Sequence, residues 1–160
     1  MSLVIRPPRP PERAWVARFL SQSWGSTTVV SRGQAHDASQ LPALLAVEAD
    51  EAVGLATFRF ADGDCELVTL DALREGQGIG SALLSAVGHQ AGGHGCGRMW
   101  LITSNDNVNA IRFYQRRGMR LVAVHRGAID EARLIKPSIP LVGEDGIPIH
   151  DEVELELPLG

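Results

Sequence analysis

Three glycines alternate in the segment Gly76-Gln77-Gly78-Ile79-Gly80-Ser81, between an apolar run and a stretch of helical period. Glycine lets a backbone fold so that successive N–H groups converge on one point. The helix that follows brings the positive end of its dipole to the same point. Together they predict a receptor for phosphate or pyrophosphate. A tight turn holding nothing is the plainer alternative, but it does not need three glycines. A nucleoside-triphosphate loop needs Gly-Lys-Ser/Thr, and this segment has no lysine. A dinucleotide fingerprint needs G-x-G-x-x-G, whereas here the third glycine falls one residue early and Ser81 takes its place.

Other chemistry-bearing side chains are sparse. The five histidines, His36, His89, His94, His125 and His150, show no ligand spacing, so no metal is expected. Cys65 and Cys96 are far apart, without the paired pattern of a disulfide framework, and read as inert packing. Tyr114 is the only tyrosine.

The elements that position the loop follow from periodicity and turn chemistry. Residues 3–6 read as a strand stopped by prolines, and Pro11-Glu12 opens a helix closed by Gly25. Residues 27–30 are β-branched, fitting a strand or an extended edge. Residues 44–47, 52–60 and 65–70 read as three strands of an antiparallel meander, with Asp and Gly in the turns. After the glycine loop, Ile79, Ala82, Leu83, Ala86 and Val87 keep a helical period as far as Gly92. Residues 99–102 read as a buried strand, and Asn105 or Asp106 can cap a helix over 107–117 that Gly118 ends. A strand at 119–124 comes next. Three prolines and several glycines make 127–149 an irregular arm, and residues 153–157 alternate as a last strand.

Size and charge bound the function classes. At 160 residues the chain fits a single domain, and its 44% hydrophobic and 21% charged residues are ordinary for a soluble protein. The net charge of −4 argues against nucleic acid as the main partner. Arg112, Arg116, Arg117 and Arg120 read as a solvated helix side, with an adenosine phosphate as the sharper option. No run of about 18 apolar residues exists to span a membrane, and MSLVIRPPRP lacks a signal-peptide pattern. A cytoplasmic location is expected.

Residues 67–84 resemble the acetyl-CoA-binding core of the GNAT superfamily of N-acetyltransferases, whose pattern is Arg/Gln-x-x-Gly-x-Gly/Ala. Aligned on Gly78 and Gly80, the Arg/Gln position falls on Glu75, with Arg74 one residue earlier as a partial substitute. A second block, Asn107 to Met119, is similar to the superfamily's N-x-x-A-x-x-F/L-Y-x-x-x-G-F, with Met119 in place of Phe. The two blocks in this order, separated by one helix and one strand, are highly specific. The resemblance implies an α/β fold, a mixed, strongly twisted sheet with helices on both faces, opening in a V at the cofactor. It implies acetyl-CoA as co-substrate and a small-molecule or peptide amine as acceptor. The backbone of Gly76, Gln77, Gly78, Ile79, Gly80 and Ser81 would hold the pyrophosphate, and that of Val68, Thr69 and Leu70 the pantetheine arm. Asn107 would reach the cofactor or simply cap its helix. Tyr114 falls where the family's tyrosine protonates the departing thiolate, with core packing as its plainer role.

Acetyl transfer also needs a neutral amine. An alkylammonium has a pKa near 10.4, so presenting it neutral at pH 7 costs roughly 4–5 kcal/mol. A carboxylate, directly or through water, can take that proton. Glu66 is the candidate, expected to share a strand face with Asp64, Val68 and Leu70, and Asp64 is the next choice. A surface glutamate is the blander reading. The arm, with Arg133 and Lys136, is expected to line an acceptor pocket or make a homodimer contact. A module that senses acyl-CoA without turnover is the rival from another class, favoured by Glu75; a nucleotide-binding protein is disfavoured by the misplaced third glycine.

Overall fold

The computed structural model describes residues 2–160. The chain runs through β1 (Leu3–Arg6), α1 (Arg13–Trp24), β2 (Thr28–Ser31), β3 (Gln34–Asp37), β4 (Ala43–Glu48), β5 (Glu51–Ala61) and β6 (Asp64–Ala72). It continues through α2 (Ile79–Gly93), β7 (Arg98–Ser104), α3 (Val108–Arg116), β8 (Arg120–His125), α4 (Ala128–Ile135) and β9 (Glu152–Pro158). Seven strands form one mixed sheet in the order β1-β4-β5-β6-β7-β9-β8, and β2 pairs with β3 in a separate hairpin.

Period-2 alternation on the central strands builds a core on each face. Ala43, Leu45 and Val47 of β4 meet Val16 and Leu20 of α1, whereas Leu44 and Ala46 meet Leu83 and Val87 of α2. Helices therefore cover both faces, as the resemblance implied. Gly54 lets α2 lie close against β5, because a Cβ there would stand 2.6 Å from the Ile79 side chain.

Strand β6 opens the sheet. It pairs with β7 in parallel over only Cys65↔Met99 and Glu66↔Trp100, after which the two strands part in a V. Toward β5, Phe58 pairs with Leu67 and Thr57 with Thr69, which leaves Val68 as a β-bulge. The bulge flips the faces beyond it. Leu70 returns to the core under α2, and Asp71 meets Ser23 and Trp24 of α1. Glu66 therefore does not share its face with Leu70, contrary to the plain alternation.

Two segments differ from the sequence reading. The single strand expected at 27–30 is half of the β2–β3 hairpin, turned by Arg32 (φ 49°) and Gly33 (φ 78°). Asn-Gly or Asp-Gly would announce such a turn; Arg-Gly does not. The arm at 127–149 is not irregular throughout, since it opens with α4, whose Ile129 and Ala132 are buried. The prolines begin only at Pro137, one turn too late to prevent this helix.

Candidate active site

The glycine loop adopts the backbone that its composition calls for. Gly76 and Gly78 both have φ of 73°, in the left-handed region that a side chain strains. Gly78 caps α2 with no side-chain acceptor, so the first N–H groups of the helix stay free. Gly80 is helical, and a Cβ there would lie 3.1 Å from the Phe113 ring, so the glycine seats α2 against α3. Ile79 turns its side chain into the core, leaving only its backbone at the loop. Gln77 is exposed.

Two cations stand beside this loop, Arg74 and Arg117. Arg74, at the place expected of a partial substitute for the missing Arg/Gln, lines the loop cavity and is also bound to Glu48 at 3.3 Å and Glu51 at 3.1 Å. Arg117 donates to Ser81 Oγ at 2.6 Å and lies 3.8 Å over the Phe113 ring. Arg74, Gly76, Gly78, Gly80, Ser81 and Arg117 border a cavity of about 340 Å³.

The cleft between β6 and β7 holds a second cavity, of about 180 Å³, lined by Val68, Thr69, Leu70, Asp71, Asn107 and Tyr114 among others. Beyond Glu66 the β7-facing edge of β6 has no strand partner, so its backbone groups are open to a ligand. Tyr114 is only 9% exposed and lines this cleft, and no fully buried side-chain polar atom among the described residues lacks a partner, so its hydroxyl, which has no protein partner, opens on the cleft. Burial, with the Asp71 charge nearby, pushes this phenol well above its ordinary pKa, so it keeps its proton throughout the working range. Burial also raises Asp71, against the hydrogen bonds from Trp24 and Ser23. Asn107 does cap α3, accepting from the Ala110 amide at 3.3 Å and donating to Thr103 at 3.2 Å.

A third cavity, of about 160 Å³, adjoins the second and shares Trp24, Val68, Ile102, Thr103 and Asn107 with it. Glu66 lines it, 3% exposed, and is no surface glutamate. Its Oε2 accepts from the Ser31 hydroxyl at 2.7 Å, and its Oε1 from Arg59 at 2.8 Å. Asp64 lies apart, bound to Arg98 at 3.2 Å, and lines neither cavity. Ser31, Arg59, Trp24 and Asp71 escaped the sequence reading, because no local spacing links them to the loop.

Among the described residues no group of three or more His, Cys, Asp or Glu could hold a metal ion, and no helix is long and apolar enough to cross a membrane. The family described as "Acetyltransferase (GNAT) family" matches residues 9–119, more than half of the chain. The chain belongs to the GNAT acetyltransferases. This acetyltransferase is 39% identical over 152 residues to YdhI of Bacillus subtilis (strain 168), a protein described as uncharacterized, covering 94% of this chain and 95% of that one. Its fold matches a Bacillus subtilis acetyltransferase in complex with CoA, with TM-score 0.71, 17% identity, and 99% and 100% of the two chains covered. It likewise matches a GNAT acetyltransferase from Elizabethkingia anophelis with acetyl-CoA bound, with TM-score 0.68, 20% identity and 98% of each chain covered. Those ligands are of the pyrophosphate class that the glycine loop of this GNAT chain calls for.

Proposed function

We propose that the enzyme transfers the acetyl group of acetyl-CoA to a primary amine, with Tyr114 as acid and Glu66 as base. The observation that carries this is the junction of two cavities at Val68, Thr103 and Asn107, with a buried phenol on one side and a buried carboxylate on the other. Acetyl-CoA supplies the activated acyl group. The free N–H groups at Gly78 to Ser81, together with Arg117, suit its pyrophosphate, and the unpaired edge of Val68, Thr69 and Leu70 suits the pantetheine amides.

In this scheme the amine nitrogen enters from the Glu66 side and gives up a proton to that carboxylate, directly or through the Ser31 hydroxyl. The nitrogen forms its bond to the acetyl carbon as the carbon–sulfur bond breaks. Tyr114 donates its phenolic proton to the sulfur. Burial raises the phenol's pKa, and the same desolvation would raise the proton affinity of a thiolate left in this cleft. The free, buried thiols Cys65 and Cys96 support a reducing, cytoplasmic location.

The test is to mix the enzyme with acetyl-CoA and a panel of primary amines, following free thiol and acetylated product together. Thiol and N-acetylated amine should appear one to one. Acetyl-CoA that binds and is never consumed with any amine would leave an acyl-CoA sensor instead.

A further inference from the structure

The cavity that holds Glu66 selects among amines by what it lacks. Glu66 is the one ionisable side chain lining it, and Asp71 is the one ionisable acid or base other than Tyr114 lining its neighbour. No Lys, Arg or His lines either cavity among the described residues. Of the basic groups close by, His36 is held below its ordinary pKa by burial, against the pull of the Glu66 charge, and the others are engaged. Arg59 is held by Glu66 at 2.8 Å and Arg32 by Glu152 at 3.1 Å. Lys136 donates to the carbonyls of Thr28 at 2.8 Å and Trp24 at 3.4 Å.

Three further polar side chains line it and each is engaged: Ser104 donates to Asp106, Asn107 donates to Thr103, and Asn107 Oδ1 accepts from the Ala110 amide. Most of the other wall is apolar. Val29 comes from β2, Ile102 from β7, Ile129 from α4, and Trp24 from the end of α1. A carboxylate carried into this space would shed its water and find no cation. A second ammonium would find no acceptor on Val29 or Ile129, and on Thr103, Ser104 and Asn107 only groups that already hold hydrogen bonds. The Glu66 carboxylate, by contrast, has about four lone-pair sites, and only Ser31 and Arg59 occupy it, so an amine N–H can still be accepted. Arg59, paired with Glu66, offsets part of the pull of that carboxylate toward the ammonium form.

We propose that the acceptor is a primary amine on a short, uncharged, apolar stem, with its nitrogen at Glu66 and Ser31 and its stem against Val29, Ile102 and Ile129. This rests on N-acetyl transfer as the reaction and narrows its acceptor. In the transfer the N–C bond forms and the C–S bond breaks; the proton lost by nitrogen goes to Glu66, and the sulfur takes its proton from Tyr114. The volume of about 160 Å³ is the smallest of the three cavities described, which suits a short stem.

The test compares kcat/KM at saturating acetyl-CoA for matched amines on the native enzyme: propylamine to hexylamine, phenethylamine against phenylalanine, butylamine against 1,4-diaminobutane, and a short peptide with a free N-terminus. Each methylene should raise kcat/KM about fourfold until the cavity is filled. Phenylalanine should fall on the order of 100-fold or more below phenethylamine, and diaminobutane and the peptide below butylamine. A second measurement uses Val29→Glu, which sets a carboxylate on the apolar wall and should raise the diaminobutane-to-butylamine ratio about tenfold or more. An unchanged ratio, or an amino acid, diamine or peptide matching its monoamine, overturns the substrate class while leaving amine acetylation standing. Acetylation of none of these amines overturns both.

Discussion

The Ser31 hydroxyl donates to Glu66 Oε2 across 2.7 Å, so a residue of the small β2–β3 hairpin orients a buried carboxylate on the main sheet. Arg59 holds the other oxygen at 2.8 Å. Both carboxylate oxygens are fixed before an acceptor arrives.

Glu66→Gln keeps the size and can keep the Ser31 contact, but cannot take a proton. Single-turnover acetyl transfer should slow by about 10²–10⁴-fold, the usual worth of a general base, with acetyl-CoA affinity unchanged. Ser31→Ala should slow it by only about tenfold, since it frees the carboxylate without removing it. Rapid-quench rates and a binding titration separate the two, and a Gln variant as fast as the native enzyme removes Glu66 from the scheme.

Gly78 and Gly80 should fail for different reasons. A Cβ at Gly78 enters open space, but the φ of 73° costs a side chain about 1–2 kcal/mol. Gly78→Ala should therefore fold, with Tm lowered by about 2–8 °C, and bind acetyl-CoA more weakly. Gly80→Val collides with the Phe113 ring and should shift α2 against α3, abolishing the thermal stabilisation by acetyl-CoA. A folded Gly80→Val protein of native affinity would contradict the placement of the loop.

Arg117→Met should weaken acetyl-CoA binding about tenfold and flatten its salt dependence, because a cation beside the loop is gone. Arg74→Met should weaken binding less, because Glu48 and Glu51 already neutralise that guanidinium. Its exposed bridges to Glu48 and Glu51 are worth at most about 1 kcal/mol of stability. Titrations of both variants at two ionic strengths make the comparison, and the reverse ranking would favour the sequence-based assignment.

Lys136 stitches the end of α4 to α1 and β2 through Trp24 and Thr28, and both α4 and β2 line the Glu66 cavity. Lys136→Met should raise the acceptor KM several-fold and leave acetyl-CoA affinity alone. Farther along the arm, Gly143→Ala would drive a Cβ into the Asp106 carboxylate, costing about 1–3 kcal/mol in thermal or denaturant unfolding. Native stability in the Ala variant would show the arm to be loosely held there.

The glycine loop and the Asn107–Tyr114 block were legible because their physics is local. Consecutive amides make the loop, and a 3.6-residue period sets Tyr114 on the inner face of α3. The partners of Glu66 were not. Ser31 reaches it across 35 positions, through a hairpin whose Arg-Gly turn carries no usual sign. The bulge at Val68 breaks the period-2 rule at the strand where the cleft opens, which is why Asp71 replaced Leu70 on the α1 side. α4 was hidden by its eight residues and by the prolines that come after it.

The most direct test is single-turnover acetyl transfer by Tyr114→Phe. The hydroxyl opens on the cleft without a protein partner, so its loss should leave Tm and acetyl-CoA affinity near native values while the ring stays packed beside Phe113. If the phenol protonates the departing sulfur, the rate should fall by about 10²–10⁴-fold. A Phe variant with the native single-turnover rate would contradict the account and leave Tyr114 as a core aromatic.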